Sequence, residues 1–128
     1  MKMELWPIGT VIRQTENGAE VEIDPRFSVG LNGVEENKHI WVMFWMHKLT
    51  EADREILETY PMGDRTKGKR GVFALRSPMR PNPIGLTRGR VVERNGNTLI
   101  VSGLDAFEGT PVIDIKPAFS IEKNQAFR

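Results

Sequence analysis

The residues best suited to do chemistry lie in two segments of opposite charge. The first is RSPMRPNPIGLTRGR, residues 76–90, with three prolines, four arginines and no acid. An arginine presents a planar fork that matches a carboxylate or a phosphate. Each proline fixes its own φ and pushes the preceding residue toward extended geometry. Arg80 and Asn82 each precede a proline, so both are held at restricted angles on a stiff loop. Preordering a loop lowers the entropy cost of binding. Arg76 before the prolines and Gly85 after them favour a ligand, because a glycine lets a ligand approach the backbone closely. The competing reading is a rigid turn between two strands. The second segment is SGLDAFEGTPVIDIKP, residues 102–117, with Asp105, Glu108 and Asp114. A pocket lined by both segments suits a zwitterionic or cationic ligand; solvated loop acids are the plainer alternative.

The net charge of +1 hides an asymmetry. Residues 65–92 hold Arg65, Lys67, Lys69, Arg70, Arg76, Arg80, Arg88 and Arg90 with no Asp or Glu. This makes a local positive field that attracts phosphates or carboxylates, unless it is only a solvated face.

Several chemistries are set aside. GDRTKGKR, residues 63–70, fits a phosphate-loop pattern until Arg70, which has no hydroxyl for magnesium, and it follows a helix pattern and opens a strand, the reverse of what that loop requires. There is no GxGxxG for a dinucleotide fold. His39 and His47 without cysteines make a poor metal site, so no metal is expected. No nucleophile-elbow motif is present, and no residue is read as a catalytic base. The absence of cysteine removes disulfides and thiolate chemistry. The N-terminus has no apolar core of signal-peptide length, and the longest apolar run, IWVMFWM, is far short of the ~20 residues of a membrane helix. A cytoplasmic protein without a membrane span is expected.

The elements that position these residues read as mainly β. PIGTVIR is a β-branched run, and AEVEID alternates apolar and acidic residues as a half-exposed strand does. KHIWVMFWMH is apolar on both alternating faces, which predicts a strand buried on both sides or one at an interface. TEADREILETY reads as the one helix, over about Thr50–Glu58, with Thr50 as its cap and Pro61 beyond its end. GVFALR reads as a strand stopped by Pro78. IGLTRGRVVER and NTLIVSGLD form a hairpin through Asn95-Gly96, and PVIDIK is a last strand. The chain length suits a single domain, residues 1–128. Six or seven strands, one short helix and a basic loop predict a single-sheeted, closed β-barrel.

GVFALRSPMRPNPIGL resembles the hallmark GVFATRSPFRPNPIG of the TsaA-like proteins, also called the TrmO or YaeB family. PIGTVIR, GVEENKHIWVMFWMH and LDAFEGTPVIDIKP resemble three further family segments in the same order, so the likeness covers nearly the whole chain. It is to a short form, without the C-terminal domain that bacterial members carry. The resemblance implies a dimeric β-barrel that binds S-adenosylmethionine outside any Rossmann fold. It implies methylation of N6 of a threonylcarbamoyl-modified adenosine next to the anticodon of tRNA. Position by position, the family's cofactor contacts fall on Pro25, Arg26, Phe27, His47, Lys48, Arg76, Leu86, Ser102, Gly103, Leu104 and Asp105. Phe27 stands where the family has Gln, Lys48 where Gln is frequent, Leu75 for Thr, and Met79 for Phe. The basic residues Arg65, Lys67, Lys69 and Arg70, with Arg80 and Asn82, are expected to hold the RNA substrate, the cations as phosphate contacts. A cofactor-sensing or RNA-binding module without catalysis, and a purely structural protein, are the other function classes compatible with the sequence.

Overall fold

The computed structural model describes residues 1–119. Among them no helix is long and apolar enough to cross a membrane. The chain forms two compact units. Unit 1 comprises Met1–Phe44 and the described residues from Leu86 onward, and unit 2 is Trp45–Gly85.

Unit 1 is built on six strands. They are β1 (Gly9–Thr15), β2 (Gly18–Ile23), β3 (His39–Trp45), β6 (Ile84–Asn95), β7 (Thr98–Ser102) and β8 (Pro111–Pro117). Two short strands, β4 (Glu58–Thr59) and β5 (Arg70–Gly71), form a separate ribbon in unit 2. The six strands pair in the order β1-β2-β7-β6-β3-β8 and close in a ring of hydrogen bonds, which leaves no bare sheet edge.

Period-two alternation explains which residues fill the ring. Val11, Ala19, Val21, Ile23, Leu99, Val101 and Val112 are buried, while their strand neighbours face outward or lie half-buried. Burying each such aliphatic side chain contributes about 1.5–3 kcal/mol. β3 obeys the same rule. Ile40, Val42 and Phe44 are buried, but Trp41, Met43 and Trp45 are only half-buried. The expectation that both faces of this strand are fully covered is therefore corrected: its outer face is apolar without being enclosed.

Three bulges bend the strands. The register shifts at Val11/Arg13 in β1, at Val91/Glu93 in β6 and at Met43/Phe44 against β8. The last one matters for the site. Phe44 pairs with Val112 and Met43 with Asp114, so Ile113 is the extra residue. In a regular strand Asp114 would share the buried face of Val112. The bulge places it opposite outward-facing Met43 instead.

Two other sequence expectations change in unit 2. The helix expected over about Thr50–Glu58 is a single 3-10 turn, Ala52–Glu55. The residue before it is Glu51, whose side chain caps nothing, while Thr50 and Asp53 bond reciprocally: Thr50 N–H donates to Asp53 Oδ2 at 2.8 Å, and Asp53 N–H to Thr50 Oγ1 at 3.3 Å. The turn does not propagate, because Ile56 is extended and Glu58–Thr59 pairs with Arg70–Gly71. A helix this short is marginal, and the β pairing competes for its backbone. The strand expected in GVFALR is only Arg70–Gly71, followed by a 3-10 turn over Val72–Ala74 that buries Val72.

Candidate cofactor cleft and basic face

The residues Pro25, Arg26 and Phe27 open a 3-10 segment, Pro25–Leu31, just after β2. Asp24 caps it by accepting from the Arg26 N–H at 3.0 Å, and Pro25 supplies a preset φ at its first position. The Arg26 guanidinium lies 4.6 Å above the Phe27 ring centroid, with Nε 3.9 Å from Asp24 Oδ2. Trp6 stacks near Phe27, centroid to centroid at 6.5 Å with planes 18° apart.

This segment borders a cleft of ≈ 520 Å³ in unit 1. Ile23, Leu31, Val34 and Ile40 form apolar walls, and Arg26, Phe27, Asn32, Asn37 and Asp114 add polar and aromatic groups. Such a size and mixture match a small-molecule site. Asp114 is anchored on both oxygens: Oδ1 accepts from the Ile115 N–H at 2.9 Å, and Oδ2 lies 3.1 Å from Lys116 Nζ. The cleft thus brings a cation, a carboxylate and an aromatic face together. Neither asparagine was singled out in the sequence: Asn32 lies just before the segment GVEENKHIWVMFWMH and Asn37 lies within it.

Ser102, Gly103, Leu104 and Asp105 follow β7 at the other end of the ring. Ser102 pairs with Arg90 and lies beside Gly18 at the turn between β1 and β2. Gly103 has φ +85°, which favours glycine, while a Cβ there would have ordinary space. Leu104 is 2 % exposed, so the residue, backbone included, belongs to the core. Gln14, unnoticed in the sequence, fastens this loop by donating from Nε2 to Leu104 O at 2.9 Å and to Ala106 O at 3.0 Å. Asp105 is exposed. Leu86 is exposed on β6, on the same face as Arg88 and Arg90, while Gly85 and Gly89 point inward.

The cleft that Arg26 and Phe27 border is not lined by Ser102, Gly103, Leu104 or Asp105. Ser102 sits beside Gly18, whereas Pro25 follows Ile23, and the five steps of β2 between them span roughly 16 Å at about 3.3 Å per residue.

Unit 2 carries His47, Lys48, Arg76 and the basic loop. His47 and Lys48 are exposed just beyond β3. Arg76 is exposed and borders a second cavity of ≈ 400 Å³, lined by Thr59, Tyr60, Pro61, Met62, Gly63, Leu75, Ser77, Pro78 and Met79. The proline-rich loop is stiff for a further reason that the prolines do not reveal. Arg80 turns inward, and its Nη1 donates to Leu75 O at 3.1 Å and Ser77 O at 2.9 Å. Arg54 braces the far side, with Nε donating to Pro81 O at 2.7 Å and Nη2 3.4 Å from Asn82 Oδ1. Arg80 and Asn82 therefore shape the loop. Arg65, Lys67, Lys69 and Arg70 are exposed, with the Arg65 guanidinium and the Lys69 ammonium over the Tyr60 ring at 5.1 and 5.9 Å. Among the described residues no cluster of three or more His, Asp or Glu side chains could hold a metal.

Residues 5–121 match the family described as tRNA-methyltransferase O N-terminal domain. The chain belongs to this family. A probable S-adenosyl-L-methionine-binding protein of Methanocaldococcus jannaschii is 42% identical over 113 residues, covering 88% of this chain and 89% of that protein. Another protein of that name, from Archaeoglobus fulgidus, is 45% identical over 105 residues, which are 82% of this chain but 27% of the relative. A tRNA (adenine(37)-N6)-methyltransferase of Mus musculus is 43% identical over 88 residues, 68% of this chain and 20% of the relative. The crystal structure of TrmO from Pseudomonas aeruginosa superposes with a TM-score of 0.71 at 26% identity, covering 98% of this chain and 61% of that one. The chain thus spans nearly all of one archaeal relative and about a quarter or less of two others.

Proposed function

We propose that this TrmO-family protein is an S-adenosylmethionine-dependent methyltransferase of tRNA, acting in the cytoplasm on N6 of a threonylcarbamoyl-modified adenosine next to the anticodon. The observation that carries the reading is the unit 1 cleft, where Arg26 and Phe27 stand across a polar and apolar wall that includes Asp114. These groups fit the cofactor by chemistry: a guanidinium for its carboxylate, a carboxylate for its ammonium, an aromatic face for its adenine. When bound, S-adenosylmethionine supplies a methyl group on a sulfonium, which is already activated for displacement.

The protein's part is binding, orientation and exclusion of water. Arg26 or Arg76 pairs with the methionine carboxylate. The exposed Leu86 and Asp105 meet the cofactor's outer edge, Asp105 at an amino or hydroxyl group, while buried Leu104 holds the loop that carries Asp105. Pro25, His47, Lys48, Ser102 and Gly103 complete the set. The attacking nitrogen loses its proton as it gains the methyl group, and no side chain is assigned to accept it. The exposed cations Arg65, Lys67, Lys69 and Arg70 take RNA phosphates, with Arg80 and Asn82 setting the shape of the adjoining loop.

A homodimer follows from this reading. Pro25–Phe27 and Ser102–Asp105 lie at opposite ends of β2, and two copies facing each other supply one group each to a single cofactor.

A non-catalytic cofactor-binding module is the second reading, favoured by the near full-length archaeal relative, whose name states binding alone. The two are separated by incubating the protein with S-adenosylmethionine carrying a radioactive methyl group and with tRNA bearing threonylcarbamoyl-adenosine. Label in the tRNA, lost when the target adenosine is replaced by guanosine, is the expected result. Cofactor binding with no label in any tRNA supports the second reading.

A further inference from the structure

We propose that unit 2 is a docking face for unpaired RNA, in which one base stacks on Phe73 while the exposed cations of residues 65–70 hold the phosphates. The inference rests on the RNA part of the proposed function and adds where and how the strand is held.

Charge is the first argument. Unit 2 carries eight Lys or Arg against five Asp or Glu, while the chain as a whole is +1. Four of those acids precede residue 60, and the fifth, Asp64, is bonded to Thr66. Arg13, Arg26, Arg94 and Lys116 in unit 1 and Arg54 in unit 2 each have a carboxylate partner. Arg65, Lys67, Lys69 and Arg70 are in no ion pair among the described residues. Four exposed and uncompensated cations within six residues make a face for a polyanion.

The second argument is that this face is not merely basic. Phe73 is 80 % exposed, and Leu57 and Met62 are exposed in the same unit. Val72, the neighbour of Phe73, is buried and its N–H donates to Leu57 O at 2.9 Å, so the backbone that presents the phenyl ring is fixed. Phosphate contacts alone require no aromatic ring in water. Single-stranded nucleic acid is bound by cations that track the backbone together with aromatic rings that stack on bases. A paired duplex hides its base faces, so this combination selects unpaired RNA.

The test uses fluorescence anisotropy with a labelled, unstructured RNA oligonucleotide and, as comparison, the same strand annealed to its complement. Wild-type protein is expected to bind the single strand more tightly than the duplex. Phe73→Ala should weaken single-strand binding about tenfold, since a stacked base is worth about 1–3 kcal/mol. It should leave duplex binding unchanged, and Phe73→Trp should restore affinity. Lys67→Glu with Lys69→Glu should weaken both forms. Equal binding by Phe73→Ala and wild type overturns the proposal, as does a preference for duplex, or binding to anionic vesicles without binding to RNA. Calorimetric titration of S-adenosylmethionine into the same proteins keeps the two readings distinct. Phe73-dependent RNA binding without cofactor binding defeats the methyltransferase and not this proposal; cofactor binding with no effect of Phe73 does the reverse.

Discussion

Arg80 shows how a residue's type can be legible while its task is not. Its position before Pro81 marks it as a fixed cation on a basic loop, yet its guanidinium spends one nitrogen on two carbonyls of that same loop. Sequence cannot distinguish an arginine aimed at a ligand from one aimed at its own backbone, because both are restrained by the same prolines. Arg80→Ala should lower the unfolding free energy by about 1–3 kcal/mol in a denaturant titration, the range for bonds to a charged donor. An unchanged midpoint would contradict the structural role. Asp64 is a second case. The Thr66 hydroxyl, and then its N–H, hold the Asp64 carboxyl below its ordinary range. A depressed pKa stabilises the folded turn above the ordinary carboxylate range, and that support disappears as pH falls through the lowered value. The amide chemical shift of Thr66 should therefore stay constant from neutral pH down to about 4 and move only below it. Movement already near pH 6 would mean that another group controls the turn.

At the scale of elements, the strands were legible wherever one face is wet. β2 and β8 match their expected spans to within a residue, because alternation and edge prolines mark them directly. The hairpin between β6 and β7 is present, but Gly96 alone takes a positive φ, 63°, and Asn95 pairs with Thr98. The turn itself is therefore Gly96-Asn97, one residue later than the expected Asn95-Gly96, with glycine in the first turn position. The elements that fail to form at their expected length, the helix and the GVFALR strand, are in unit 2, where short ribbons and 3-10 turns lack the run length that periodicity needs. Two glycine substitutions test the strand account. Gly18 has φ +140°, and a Cβ there would lie 2.6 Å from Val101 O, whereas Gly96 has open space around it. Gly96→Ala should cost about 1–2 kcal/mol from its φ alone. Gly18→Ala should cost more, about 2–4 kcal/mol, because backbone must move as well. Equal losses would show that the close approach of β2 to β7 carries no energy.

At the scale of the whole molecule, the sequence resemblance named a residue set whose geometry within one chain it could not reveal. Pairing register supplied that, by putting Pro25–Phe27 and Ser102–Asp105 at opposite ends of β2. If two copies share each site, Arg26→Ala and Asp105→Ala should each weaken cofactor binding at least about tenfold alone. Mixed after unfolding and refolding together, they should recover roughly a quarter of wild-type sites, one intact site in each randomly paired mixed dimer. No recovery would argue for sites contained in single chains. The most direct measurement of the central claim is simpler. Titrating S-adenosylmethionine into the purified protein in a calorimeter, with ATP as control, should give selective binding near one site per chain, weakened by Arg26→Ala. Absence of heat with S-adenosylmethionine, or equal binding of ATP, would contradict the methyltransferase account.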